Sequence, residues 1–265
     1  MRIVAIYAVF NEERFMERSI QHCIEQGVES YVIDNESTDK TLAIAKSYLG
    51  RGVIGIETFP RRGVFELAKL LRRKEQLHGS LGADWYLQQD ADQFRYPPNP
   101  YKSLAEGIAA VDAAGYNAID FDVFEFVPTG RDEDYDNGRF VEEMKHYYYF
   151  NPCPLFQVKL WKNFGQKIDL ESSGGHLVEF AGRRIFPTPF IQRHYLALSR
   201  RHAIEKYCRR TFSKAELARG WHGRRDSIRE DEFYYPDRAN LKTVTNDNTW
   251  DTSDPKNVRL LLGST

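Results

Sequence analysis

Cysteine is scarce in this chain of 265 residues: Cys23, Cys153 and Cys208 are an odd number with no C-x-x-C spacing. That argues against a disulfide framework and a zinc ribbon, and fits a reducing compartment. No apolar run approaches the roughly 18 residues that a membrane span needs. The N-terminal run Ile3-Val4-Ala5-Ile6 is too short and unflanked for a signal peptide. The one N-x-S sequon, Asn35-Glu36-Ser37, lies in a stretch that reads as a ligand loop, where a glycan would obstruct; a cytoplasmic location is expected. A net excess of either charge is also missing. With 37 Lys and Arg against 38 Asp and Glu, the net charge is −1, so no global field points to nucleic acid. Ser-His-Asp and P-loop patterns are absent, which leaves acyl transfer and ATP hydrolysis unsupported. There is no internal repeat. What is present is an ordinary globular composition, 42% hydrophobic and 28% charged, with 15 Tyr and 17 Phe that suggest stacking surfaces. The length suits one large domain, or a domain with an appendage, burying about 75% of its unfolded surface.

Strands and helices alternate through the first half. Residues 2–10 read as a buried strand. Residues 12–26 have helical spacing of Phe15, Ile20, Cys23 and Ile24, stopped by Gly27. Tyr31-Val32-Ile33 is a second strand, Thr41 to Leu49 a helix, and Val53 to Phe59 a third strand halted by Pro60. A helix over about 64–78, a strand from Trp85, a helix over 101–114 and a strand over 118–127 follow. This alternation predicts right-handed βαβ units in a mostly parallel sheet. Residues 146–161 are aromatic and strand-like, and Gly174-Gly175 marks a sharp turn. From Ser199 the chain reads as helical and basic, with nine Lys and Arg against two Glu over 200–225. The expected division is an α/β domain over 1–198 and a helical or irregular extension over 199–265.

In open α/β sheets, ligands bind beyond the carboxyl ends of the strands. Three polar clusters fall there: Asn11-Glu12-Glu13, Asp34 through Asp39, and Asp90-Ala91-Asp92. The third follows Trp85-Tyr86-Leu87-Gln88-Gln89 directly, so a strand delivers two carboxylates at i and i+2 to its exit. Both can approach one hard divalent cation, which would neutralise a diphosphate leaving group. An acidic turn or helix cap is the plainer alternative. For Asp34 that alternative is an Asx turn or an N-cap, although Ser37 or Asp39 can do the capping instead.

The run Ala5 to Glu12, then Val32-Ile33-Asp34-Asn35-Glu36-Ser37-Thr38-Asp39-Lys40-Thr41, then Asp84 to Phe94 resembles glycosyltransferase family 2. The resemblance covers about residues 3–127. It implies a GT-A type, Rossmann-like α/β fold and transfer of a hexosyl group from a UDP-, GDP- or dTDP-linked donor, with inversion. The acceptor would be a saccharide or a lipid-linked one. It places Val9, Asn11 and Glu12 where the first-strand loop meets the nucleotide, and Asp34 on the nucleobase. Asp90 and Ala91 would flank the ribose and metal, and Asp92 would be the Mn²⁺ or Mg²⁺ ligand proper. The helix 64–78 carries Lys69, Arg72 and Arg73 in the stretch whose basic residues often face the base or diphosphate; a solvated helix face is the alternative. A histidine from the late region, here His194 in Phe190-Ile191-Gln192-Arg193-His194-Tyr195, would complete the metal shell. Otherwise His194 is a buried structural histidine near a helix start.

The chain departs from that family pattern later. Members commonly present a Glu-Asp pair whose Asp is the general base. The comparable stretch here is Glu171-Ser172-Ser173-Gly174-Gly175-His176-Leu177-Val178-Glu179, without such a pair. His176 suits a base because imidazole titrates near neutral pH; Glu171 and Asp169 are its rivals. The missing pair lends weight to a second reading, a non-catalytic nucleotide- or carbohydrate-binding module on the same fold. A haloacid-type phosphatase also uses D-x-D, but usually after its first strand and without the Phe found here at Phe94. The basic stretch 200–225 interleaves Arg200, Arg201, Lys206, Arg209, Arg210 and Lys214 with Ile204, Tyr207, Cys208 and Phe212. Peripheral contact with an anionic membrane is one expectation for it; packing of an apolar stripe on the domain is the other.

Overall fold

Ile3, Val4, Ala5, Ile6 and Tyr7 are all at most 2% exposed, the signature of a strand covered on both faces. They form β1 (Ile3–Val9) in a computed structural model that describes residues 1–151, 157–222, 225–245 and 249–263. Along the chain follow α1 (Glu13–Glu25), β2 (Glu29–Asp34), α2 (Thr41–Ser47), β3 (Val53–Thr58), α3 (Leu67–Leu77) and β4 (Trp85–Gln89). Next come β5 (Gln93–Tyr96), α4 (Leu104–Ala113), β6 (Ala118–Ile119), β7 (Phe121–Phe126), α5 (Phe140–Glu143), β8 (His146–Phe150) and β9 (Leu160–Lys162). The chain ends with β10 (Phe190–Tyr195), α6 (Arg200–Tyr207), α7 (Lys214–Ala218) and β11 (Lys242–Thr243). Helix spacing decides the inward faces: α1 buries Phe15, Met16, Ile20 and Cys23, and Gly27 stops it at a φ of 74°. This is the mixed α/β class expected from the sequence.

Contacts divide the chain into two compact units. The first comprises Met1–Arg62, Glu66–Phe121 and Phe156–Gln192. Its sheet has the order β3-β2-β1-β4-β9-β6. The β3-β2, β2-β1 and β1-β4 pairs are parallel, while β9 runs antiparallel to β4. In register, Val9 stands opposite Asp34 and Tyr7 opposite Gln89. The exits of β2 and β4 therefore lie at the same end of the sheet, one strand on each side of β1.

The second unit comprises Gly63–Phe65, Asp122–Leu155 and Arg193–Thr265. Within it β8 pairs antiparallel with β7 and with β11. Its core gathers Val127, Tyr148, Leu196, Ala203, Ile204, Tyr207, Ile228, Phe233 and Leu261. Glu125 is fully buried there, and it accepts from Tyr148 Oη, from His194 Nδ1 at 3.1 Å and from Arg259 Nε at 3.0 Å. Burial would raise the Glu125 carboxyl, but Arg259 and His194 outweigh it and hold it below the usual range.

Three local expectations change. The strand expected over 118–127 is broken at Asp120, whose Oδ1 accepts from the Phe121 and Gln157 amides at 2.9 and 2.6 Å. The strand β5 follows the D-x-D turn unannounced. The basic stretch 200–225 is two short helices, because Ser199 caps α6 and Ser213 begins α7. Residues 223 and 224 of it, and Cys153, lie outside the described residues. No helix among the described residues is long and apolar enough to cross a membrane.

Candidate functional site

The exit of β2 is built by side chains that tie two loops together. The Asn11 amide donates to Ser37 Oγ at 3.1 Å, and Thr38 N donates back to Asn11 Oδ1 at 2.8 Å. Glu12 N donates to Thr41 Oγ1 at 2.7 Å. Asn11 and Glu36 hold φ values of 54° and 60°, a left-handed backbone that Asn tolerates well and Glu rarely adopts. Asp39, just before α2, accepts from Thr41 N at 2.9 Å and from Glu13 N at the start of α1 at 3.1 Å. Asp34 is 1% exposed; Oδ2 accepts from Ser37 N at 3.2 Å, as in an Asx-type turn, and Oδ1 accepts no hydrogen bond among the described residues. A buried acceptor left without a donor costs about 1–3 kcal/mol, a cost that a ligand N–H would remove. Beside it, Arg61 donates to Asn35 Oδ1 at 3.2 Å and lays its guanidinium 3.7 Å from the Phe10 ring centroid. Val9 is buried in β1 opposite Asp34.

The exit of β4 is electrostatically denser. Asp90 has a side chain 39% exposed, while Ala91 and Asp92 are buried, at 3% and 8%. Three buried cations face this turn. Lys159 Nζ stands 3.8 Å from Asp90 Oδ2 and 3.5 Å from Gln93 Oε1. Lys74, 2% exposed, donates to the Gln89 carbonyl at 3.3 Å. Arg95, 1% exposed, donates to Gln89 Oε1 and, at 2.6 Å, to Gln93 Oε1. Burial pushes Lys74 down to about 8 and Arg95 down to about 10. For Asp90, burial acts upward, but Lys159 and Lys74 prevail and hold the carboxyl below its ordinary range.

A second strand of chain closes the β4 side. Gln88 N donates to the Lys159 carbonyl at 2.8 Å, and Val178 N to the Val158 carbonyl at 2.9 Å. Residues 157–159 thus lie between the end of β4 and the segment carrying His176. His176 is exposed, with Nδ1 3.4 Å from Gln157 Oε1. Gly175, at a φ of 80°, packs so closely on Gln88 that a Cβ there would meet its amide at 2.7 Å. The rivals of His176 are engaged: Asp169 Oδ1 accepts from Ser172 N at 2.9 Å, and Glu171 pairs with Arg72 Nε at 3.4 Å. Arg73 is held bidentately by Glu57, with both bonds at 2.7 Å. On α3 it is Lys74, not Arg72 or Arg73, that reaches the D-x-D turn. Spacing alone never marked Lys74, Lys159 or Arg61, although Lys74 interrupts the apolar stripe Leu70, Leu71 and Leu77.

Two carboxylates from one turn are the oxygen donors that a hard divalent cation takes when phosphate and water complete its shell. No group of three or more His, Cys, Asp or Glu side chains is arranged for a metal among the described residues. Asp90 and Asp92 would supply only part of such a shell, with the remaining donors coming from ligand and water. His194 belongs to the second unit, where Nδ1 meets Glu125.

Residues 5–64, which run from β1 past the Asp34 loop to Arg61, match the family model Glycosyl transferase family 2. The chain is similar in fold to TarS of S. aureus, at 13% identity over 88% of this chain and 45% of that one, with a TM-score of 0.46. The 1–349 form of TarS in complex with UDP gives the same identity and TM-score over 86% and 74% of the two chains. Glucosyl-3-phosphoglycerate synthase of Mycobacterium tuberculosis is 19% identical over 54% and 47%, with a TM-score of 0.29. The chain thus spans under half the length of the first TarS structure. None of the curated proteins matches it in sequence.

Proposed function

We propose that the protein transfers a hexosyl group from a nucleoside diphosphate sugar to a saccharide or lipid-linked acceptor, with inversion. The observation that carries this reading is the unpaired, buried Asp34 Oδ1, one strand beyond β1 from the Asp90-Asp92 turn. Two strand spacings are about 9.6 Å, a span that suits a nucleobase at β2 and a diphosphate at β4. Asp34 accepts from a ring N–H of the base. Asn11 and Glu12 shape the loop against the nucleotide, with Val9 and Ala91 forming its floor and Arg72 and Arg73 lining the α3 side. Asp90 and Asp92 would hold Mn²⁺ or Mg²⁺, which neutralises charge on the leaving diphosphate.

In the transfer, the acceptor oxygen bonds to the anomeric carbon as the bond from that carbon to the diphosphate oxygen breaks. The electron pair leaves on the diphosphate. The acceptor proton passes to His176, an exposed imidazole just after the Gly174-Gly175 turn, with Glu171 and Asp169 behind it. His194 is proposed as a further metal donor. A ligating histidine commonly donates its other ring N–H to a carboxylate, and Nδ1 of His194 has that partner in Glu125. The catalytic chemistry is assigned to residues 1–198, with 199–265 as an extension whose basic stretch 200–225 contacts an anionic membrane surface.

Incubation with UDP-, GDP- and dTDP-sugars plus Mn²⁺ tests the reading: transfer or slow donor hydrolysis with one nucleotide is expected. Tight nucleotide binding with no turnover of any donor would instead support a non-catalytic binding module.

A further inference from the structure

The two buried lysines at the end of β4 are unusual in their placement. Long cationic side chains are seldom fully buried without close partners, because removing an ammonium from water costs several kcal/mol. Lys74 and Lys159 are 2% and 3% exposed. They come from separate elements, α3 and the segment before β9, and converge on one carboxylate, Asp90, which is itself 39% exposed at the side chain. The Lys74 ammonium makes a single hydrogen bond among the described residues, to the Gln89 carbonyl at 3.3 Å. Its other two N–H donors have none. Arg95 adds a third cation, so three positive groups stand against the two carboxylates of Asp90 and Asp92. That surplus is suited to an anion, and Asp90 marks the side from which the anion enters.

We propose that Lys74 and Lys159 bind the diphosphate of the donor directly, so that a nucleoside diphosphate binds without any divalent cation. This rests on the nucleotide-sugar reading. In the transfer step the two ammonium groups face the oxygen on which the electron pair of the broken bond comes to rest. They share with the metal the work of stabilising that charge. The metal then adds to binding and rate without being the sole support of the diphosphate.

Calorimetry in EDTA, with uridine, guanosine and thymidine and their mono- and diphosphates, tests this on the intact chain. With the base that binds, the diphosphate should bind a hundredfold or more tighter than the nucleoside, as two charged hydrogen bonds allow. That increment should shrink as NaCl rises. Lys74→Met and Lys159→Met should each reduce it tenfold or more while the nucleoside affinity stays unchanged. Lys159→Arg should retain most of it. If the wild-type diphosphate gains nothing over the nucleoside in EDTA, the inference falls, whatever the variants do. It falls equally if the increment survives both methionine variants. Failure of every nucleoside and nucleotide to bind, with metal or without, would overturn the donor reading itself and this inference with it.

Discussion

Lys159 Nζ lies 3.8 Å from Asp90 Oδ2, joining the segment before β9 to the turn after β4. The pair holds the D-x-D turn at one carboxylate; the other, Asp92, is the one proposed as the metal ligand. In Asp92→Ala we expect most glycosyl transfer to be lost, with the melting temperature nearly unchanged. Normal turnover of that variant in EDTA would remove Asp92 from the metal's shell.

Asp34→Asn keeps the shape and the bond from Ser37, but replaces the unpaired carboxylate with an amide. The nucleotide dissociation constant should rise about tenfold or more, matching about 1.5–3 kcal/mol for a charged hydrogen bond. Because the contact hardly changes in the transition state, kcat at saturating donor should move little. Calorimetry showing unchanged nucleotide affinity would defeat the assignment.

His176→Ala should lower kcat by about 10²–10⁴ and leave nucleotide affinity intact, as loss of a general base requires. The acidic limb of the kcat profile should vanish as well. If Glu171→Gln or Asp169→Asn produces that pattern and His176→Ala does not, the base is the other residue.

Arg73 gives a pH prediction about stability. Its two bonds to Glu57 are the main reason that carboxyl lies below its ordinary value of 4.5, against a smaller upward push from burial. A lowered folded value means that the pair stabilises above about pH 4.5 and loses its effect as pH falls through the folded value. Glu57→Gln should therefore lower the melting temperature by about 2–4 °C at pH 6, for a loss of about 1 kcal/mol. The difference from wild type should close as pH falls below 4.5 through the lowered folded value. A gap that persists there would mean packing, not charge, is responsible.

For His194→Ala, activity titrated separately with Mn²⁺ and Mg²⁺ is the discriminating measurement. A nitrogen ligand favours the later metal, so Mn²⁺ activation should weaken most and the preference between the metals narrow. Equal loss with both, with a lower melting temperature, would leave His194 as Glu125's structural partner.

Local patterning determined the frame. Apolar runs bounded by Asn11, Asp34 and Gly27 set β1, α1 and β2, because strand and helix periods are properties of adjacent residues. The order of the three polar clusters likewise singles out Asp34, Asp90 and Asp92 as candidates, through the family resemblance that those clusters carry. Only tertiary structure decided which charges stand beside those residues. Arg72, Arg73 and Lys74 are neighbours of the same chemical kind, yet a turn of 100° per residue sends Lys74 under the sheet while Arg73 meets Glu57. Lys159 reaches Asp90 because its segment hydrogen-bonds to β4, a pairing between distant parts of the chain that no spacing rule encodes. At the exit of β2 Asp39 meets the Thr41 and Glu13 amides while Asp34 meets only the Ser37 amide among the described residues, a division settled by geometry in three dimensions.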